Sequence, residues 1–118
     1  ALLSQKFSIG NSTVTMCHTG TKDISVYTKQ ADIIIAAVGV PEMIKSDMIK
    51  DGCCIFDVGI NRVEDKNSKK GYRLVGDVDA KSVMNKAKYL TPVPGGVGPM
   101  TITMLLFNTI KSAEDTII

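Results

Sequence analysis

Apolar and polar positions divide the chain into apolar runs of strand length separated by polar stretches of helical or turn character. The strongest run is Asp32-Ile33-Ile34-Ile35-Ala36-Ala37-Val38-Gly39. It is continuous rather than alternating, which predicts a parallel strand covered on both faces. Cys53-Cys54-Ile55-Phe56-Asp57-Val58-Gly59 repeats the pattern of an apolar strand closing on glycine. Thr13-Val14-Thr15-Met16-Cys17 alternates and is rich in β-branched residues, so it predicts a further strand, and Tyr89-Leu90-Thr91 predicts a short last one.

Helical segments are predicted between these runs. Residues 1–8 read as the tail of a helix stopped by Gly10 and Asn11. Residues 23–30 predict a short helix with Ile24, Val26 and Tyr27 as its apolar positions, and residues 41–44 a turn or helical stub. Ser46 is placed to cap a helix through Lys50 that Asp51-Gly52 ends, and Asp79 to cap one through Lys88. Residues 100–113 form the last predicted helix, uninterrupted by Gly or Pro, with Ile102, Leu105, Leu106, Thr109 and Ile110 as its apolar positions. The lysine-rich stretch 61–72 predicts a surface excursion or hairpin.

Strands separated by helical segments imply a parallel sheet of the doubly wound α/β class. Ligands in that architecture bind beyond the carboxyl ends of the strands. The turns after Cys17, Val38, Val58 and Thr91 are therefore expected on one edge.

At 118 residues the chain has the length of one domain, enough for a core without disulfides or metals. A net charge of +2 is too small to imply a nucleic-acid partner. No apolar run approaches the roughly 20 residues that span a bilayer, and no membrane partner is expected. Cys17, Cys53 and Cys54 have neither C-x-x-C spacing nor an even count, which speaks against a disulfide framework or zinc site and for a reducing compartment. The start, Ala1-Leu2-Leu3-Ser4-Gln5, has no initiator Met and no signal-peptide pattern; it reads as a helix already under way, so an amino-terminally truncated chain is expected. Asn11-Ser12-Thr13 matches the glycosylation acceptor pattern, a chance match in a chain with no secretory signal.

The candidate chemistry concentrates in Thr91-Pro92-Val93-Pro94-Gly95-Gly96-Val97-Gly98-Pro99. Prolines fix φ and glycines open it, so the segment is either a loop that brings a ligand against bare backbone or a tight strand-to-helix turn. Pro99 suits the first turn of the following helix, whose opening N–H groups attract anions or polar ligand groups. Cys17-His18 has the residue types of a nucleophile and its base, but adjacent side chains at a strand end diverge. His18 and Thr19 either line a ribose or phosphate edge or are simple turn residues. Asp77 and Asp79 resemble a paired-carboxylate motif, with a turn residue and a helix cap as the competing explanation. Asp57, inside an apolar run, must be hydrogen-bonded or near a site, because isolated burial of its charge is costly. Neither G-x-G-x-x-G nor a Walker sequence occurs.

Four blocks carry a family resemblance: TPVPGGVGPMTIT at residues 91–103, Asp57-Val58-Gly59-Ile60-Asn61-Arg62, Val75-Gly76-Asp77-Val78 and Ala37-Val38-Gly39-Val40-Pro41. In order and spacing they resemble the carboxyl-terminal half of bifunctional methylenetetrahydrofolate dehydrogenase/methenyltetrahydrofolate cyclohydrolase, over nearly the whole chain. The resemblance implies a Rossmann-like parallel sheet with helices on both faces, binding NADP, or NAD in some members, across a cleft from a folate domain. It implies hydride transfer from 5,10-methylenetetrahydrofolate to nicotinamide, then hydrolysis of the methenyl product to 10-formyltetrahydrofolate. Carried over, Gly95, Gly98 and Pro99 face the folate and Thr101 lies near the cofactor. Cys17, His18 and Thr19 lie beside the adenosine ribose, where Thr19 suits a 2′-phosphate and hence NADP. Ala37, Val38, Gly39, Gly59 and Ile60 pack along the cofactor.

The family's acid/base lysine, in its folate domain, has no counterpart motif here, and its first Rossmann strand and phosphate loop would lie before Ala1. The resemblance therefore implies one NAD(P)-binding domain over residues 1–118, inactive alone, from a cytoplasmic or mitochondrial enzyme of one-carbon metabolism and purine biosynthesis that forms a homodimer. The alternative is a non-catalytic remnant or a dimerisation or regulatory module of the same fold.

Overall fold

A computed structural model describes Ser4 and residues 10–116. The helix expected over residues 1–8 lies, apart from Ser4, outside the described residues. Three short strands, β1 (Ile33–Ala36), β2 (Cys54–Asp57) and β5 (Tyr89–Leu90), form a parallel sheet in the order β1-β2-β5. Ile34 is level with Ile55 and Ala36 with Asp57, while Ile55 is also level with Leu90. The sheet exists because each apolar run supplies β-branched residues that tolerate the pleat, and each ends where glycine or proline follows.

Between β2 and β5 the chain leaves the sheet as an antiparallel hairpin, β3 (Asn61–Glu64) and β4 (Tyr72–Val75), as expected for the lysine-rich stretch. Its tip is closed by the Asp65 amide donating to the Gly71 carbonyl at 3.0 Å, with Gly71 at φ 77°. Arg62 lies over the ring of Tyr72, 4.5 Å from its centroid, a diagonal cross-strand pair.

The helical segments before the Gly/Pro loop are shorter than the sequence predicts, and the last helix is longer. Helix α1 spans Ser25–Thr28, started by Asp23, whose carboxylate accepts from the Ser25 hydroxyl at 2.6 Å and amide at 3.0 Å. Those two bonds hold the Asp23 carboxyl below its ordinary range. Ser46–Met48 is one turn of 3-10 helix, and α2 covers Ala80–Val83 with Asp79 as its N-cap, accepting from the Ser82 amide at 3.3 Å. Helix α3 runs over Val97–Thr116, starting earlier than expected and placing Pro99 in its first turn, where a missing N–H breaks no helical bond.

Ile34, Ala36, Cys53 and Ile55 point to one face of the sheet and pack with Ile44, Ile49, Val78 and Val83 from the connections. Burial beneath that layer pushes the Cys53 thiol pKa above its ordinary value.

Three expectations need correction. Residues 13–17 are exposed and form no strand; a strand needs a neighbour, and among the described residues β1 pairs only with β2. The sheet is covered on one face among the described residues, for Ile33, Ile35 and Phe56 alternate outward and remain exposed. The apolar positions of α3 meet no core among the described residues either: Ile102, Leu105, Leu106 and Ile110 are exposed. The standing-off of this helix shows in a radius of gyration of 16.9 Å, against about 13.5 Å for a compact chain of this length.

Candidate functional site

Parallel pairing puts the carboxyl ends of β1, β2 and β5 on one edge, so the loops that begin at Ala37, Val58 and Thr91 emerge together. They are bonded to one another. The Val58 amide donates to the Ala36 carbonyl at 2.8 Å, and the Thr91 amide to the Ile55 carbonyl at 3.2 Å. The Thr91 hydroxyl accepts from the Asp57 amide at 2.8 Å.

Behind these loops lie two buried carboxylates. Asp57 accepts from the amides of Gly59 and Asp77, each at 3.0 Å, and of Val78 at 3.1 Å. Asp77, with no exposed surface, accepts from the amides of Val38 at 2.7 Å and Gly39 at 3.1 Å and from the Asn61 side-chain amide at 2.9 Å. The charge-assisted bonds to backbone explain how ionised groups are accommodated inside the fold. They also explain two glycines: a Cβ at Gly76 would overlap the Asp57 carboxyl group, and one at Gly59 the Asp77 carboxyl group.

Around this support the expected cofactor residues divide. Ala37, Val38 and Gly39 are exposed at the end of β1; Gly59 is buried against Asp77, and its neighbour Ile60 is exposed. Gly39 has φ 74° and a Cβ there would meet open space. The network joins Val38, Gly39 and Gly59 into one unit.

Cys17, His18 and Thr19 are also exposed, at the start of a turn whose hydrogen bonds are internal. The His18 amide donates to the Thr21 hydroxyl at 3.0 Å, the Thr21 amide to the His18 carbonyl at 2.9 Å, and the Gly20 amide to His18 Nδ1 at 3.0 Å. No such bond joins this turn to the other loops among the described residues. Thr21, unmarked by the sequence, makes the turn, and the Thr19 hydroxyl has no partner among the described residues.

The Gly/Pro loop curls tightly into α3. A Cβ at Gly96 would overlap the Pro92 carbonyl, whereas Gly95, at φ 99°, and Gly98 face open space. Gly95, Gly98 and Pro99 are exposed. The Thr101 hydroxyl donates to the Val97 carbonyl at 2.9 Å, one turn back in its own helix.

Asp79 is the helix cap, whereas Asp77, which the sequence offered as its carboxylate partner or a turn residue, is instead a buried clamp; Asn61 and the Thr91 hydroxyl were not marked in these bonding roles. The available signal was a carboxylate within Val75-Gly76-Asp77-Val78, an apolar setting like that of Asp57. Among the described residues no group of three or more His, Cys, Asp or Glu is arranged to hold a metal ion, and no helix is long and apolar enough to cross a membrane.

Comparison with known proteins agrees with this architecture. Residues 1–117 match the family model for the tetrahydrofolate dehydrogenase/cyclohydrolase NAD(P)-binding domain. Bifunctional protein FolD of Chloroherpeton thalassium is 61% identical over 113 residues, which are 96% of this chain and 38% of that protein. The corresponding protein of Flavobacterium johnsoniae is 59% identical over the same length and shares. Among solved structures, the Campylobacter jejuni FolD enzyme superposes with a TM-score of 0.80 at 53% identity, covering 92% of this chain and 36% of that one. The Trypanosoma brucei methylenetetrahydrofolate dehydrogenase-cyclohydrolase, complexed with NADP cofactor and inhibitor, gives 0.79 at 42% identity over 90% and 36%. The chain thus spans about two-fifths of the length of the curated relatives it matches, 38% in the first case. With its parallel sheet, glycine-bearing strand ends and near-complete match to that model, the chain belongs to the tetrahydrofolate dehydrogenase/cyclohydrolase family, in the part described as the NAD(P)-binding domain.

Proposed function

We propose that this chain is the dinucleotide-binding part of an enzyme that oxidises 5,10-methylenetetrahydrofolate with NADP and hydrolyses the 5,10-methenyl product to 10-formyltetrahydrofolate. The observation that carries this reading is the bonded convergence of the loops after β1, β2 and β5 on one edge. Ligands of open α/β sheets bind at that edge. The residues fit a dinucleotide, because Gly39, in the loop after β1, leaves open the space a side chain would fill. The NADP-complexed Trypanosoma brucei relative supports the choice of cofactor.

When bound, NADP supplies the hydride acceptor. Val38 and Gly39 offer a backbone edge held from behind, and Ile60 an apolar contact beside it. The Thr19 hydroxyl, unpaired among the described residues, is free to donate to a 2′-phosphate. Gly95, Gly98 and Pro99 border the folate side, where a side chain at Gly98 would intrude. In the hydrolysis, water would add to the methenyl carbon, the bond from that carbon to N5 would open to leave the formyl group on N10, and one proton would be released. A lysine of a folate domain outside these residues handles that proton, and the working protein is a cytoplasmic homodimer.

The test uses the full-length protein carrying this chain. Expected are saturable NADP binding tighter than NAD binding, and NADPH formation that depends on 5,10-methylenetetrahydrofolate. Residues 1–118 alone are expected to give no turnover. A full-length protein that neither binds NADP nor reduces it overturns the proposal; turnover by the 118 residues overturns the assignment of proton transfer to another domain.

A further inference from the structure

We infer that Asp77 is a positioning residue of the dinucleotide site, holding the Val38–Gly39 backbone in register with the Gly59–Ile60 turn. The inference rests on the reading of these loops as the cofactor's bed. One carboxylate oxygen receives both the Val38 and Gly39 amides, at 2.7 and 3.1 Å, and the other receives the Asn61 side-chain amide at 2.9 Å. The two oxygens therefore tie the exit of β1 to the first residue of β3. Gly59 lies against the same carboxyl group, too close for any side chain of its own. Asp77 itself is fixed through its backbone: its amide donates to Asp57 at 3.0 Å and its carbonyl accepts from Ile44 at 2.9 Å.

Such a carboxylate touches neither substrate nor cofactor and has no exposed surface. It acts by setting the separation between two exposed loops, and Gly39 at φ 74° has no side chain to hold that shape unaided. An amide in its place keeps the size but presents an N–H to one of its donors. The geometry further identifies a repair. Exchanging the two chemistries, as in N61D/D77N, lets the amide oxygen at position 77 accept from Val38 and Gly39 while its nitrogen donates to the carboxylate at position 61.

The test compares wild type, D77N and N61D/D77N in the full-length protein, by amide hydrogen exchange and steady-state kinetics. In D77N, exchange at Val38 and Gly39 is expected to speed up by about tenfold or more while exchange at Ile34 holds. The KM for NADP is expected to rise by about tenfold with the KM for folate little changed, and the double variant to recover much of both effects. A purely structural role would leave both KM values alone and lower only the fraction of folded protein. Unchanged exchange at Val38 and Gly39, equal shifts in both KM values, or failure to fold that the double variant does not rescue overturns the inference. Failure of the functional reading shows separately, as wild-type protein without NADP binding, and the exchange comparison still decides whether the clamp exists.

Discussion

Replacing Asp57 by alanine removes the acceptor of three backbone amides, those of Gly59, Asp77 and Val78, all buried. A stranded buried donor costs about 1–3 kcal/mol. Some relaxation and water entry are expected once the carboxylate is gone, so D57A should lose about 3–5 kcal/mol, a large share of the roughly 5–15 kcal/mol that stabilises a domain. Gly76 supplies an internal control. Its φ is not in the left-handed region, so alanine is conformationally permitted, and the three atoms nearest the added Cβ all belong to the Asp57 carboxyl group. In the wild-type background G76A should therefore cost about 2–4 kcal/mol through overlap, and in the D57A background under about 1 kcal/mol because the obstructing atoms are absent. Equilibrium urea unfolding followed by circular dichroism measures all four corners of the cycle. Equal costs for G76A in both backgrounds, or a loss below about 1 kcal/mol for D57A, would refute the account of this network.

Two other perturbations address different parts of the molecule. Cys53 is buried and its thiol pKa is raised by that burial, so its contribution to stability is whole below the ordinary thiol value of 9.0 and is lost as pH rises past it; C53A should flatten the fall in unfolding free energy above about pH 9, where one such group contributes up to about 1.4 kcal/mol per pH unit, and parallel curves would sink the idea. Gly98 faces open space on the outside of the first turn of α3. G98V in the full-length protein should leave the unfolding midpoint near wild type yet cut folate-dependent NADP reduction by about a hundredfold through misplaced substrate, and normal turnover would count against the proposed folate contact.

What the sequence revealed depended on whether the responsible force was local. Ile33-Ile34-Ile35-Ala36 and Cys54-Ile55-Phe56-Asp57 read as strands because runs of that composition have few other stable uses, and the Asp79 cap was legible from residue type and position. Asp57 advertised its hydrogen bonds by being a charge within an apolar run. Residues 13–17 have the same kind of local signal, yet alternation states only that a strand would have two unlike faces, not that a neighbour is there to pair with. The periodicity of α3 is silent in the same way about what covers Leu105 and Leu106, which are exposed here. Gly59 and Asp77 were individually visible but not as a pair, because the contact that makes one a glycine and the other a clamp joins residues far apart in sequence. The shared edge of the strand ends was legible for Val38, Val58 and Thr91, since parallel pairing alone dictates it.

The hairpin of β3 and β4 has its base latched twice, by Asp57 reaching forward to the Asp77 and Val78 amides and by Asp77 holding Asn61. Beyond that latch the hairpin, from Arg62 round the turn at Asp65 to Leu74, is bonded mainly to itself, with one exposed ion pair at 3.9 Å from Arg73 to Glu42. Because doubling the length of a loop adds only about 0.6 kcal/mol of closure entropy, the hairpin behaves as a removable insert with fixed ends. Lengthening, shortening or recharging it is therefore expected to change the surface of the molecule while the Val38, Gly39 and Gly59 backbone keeps its place.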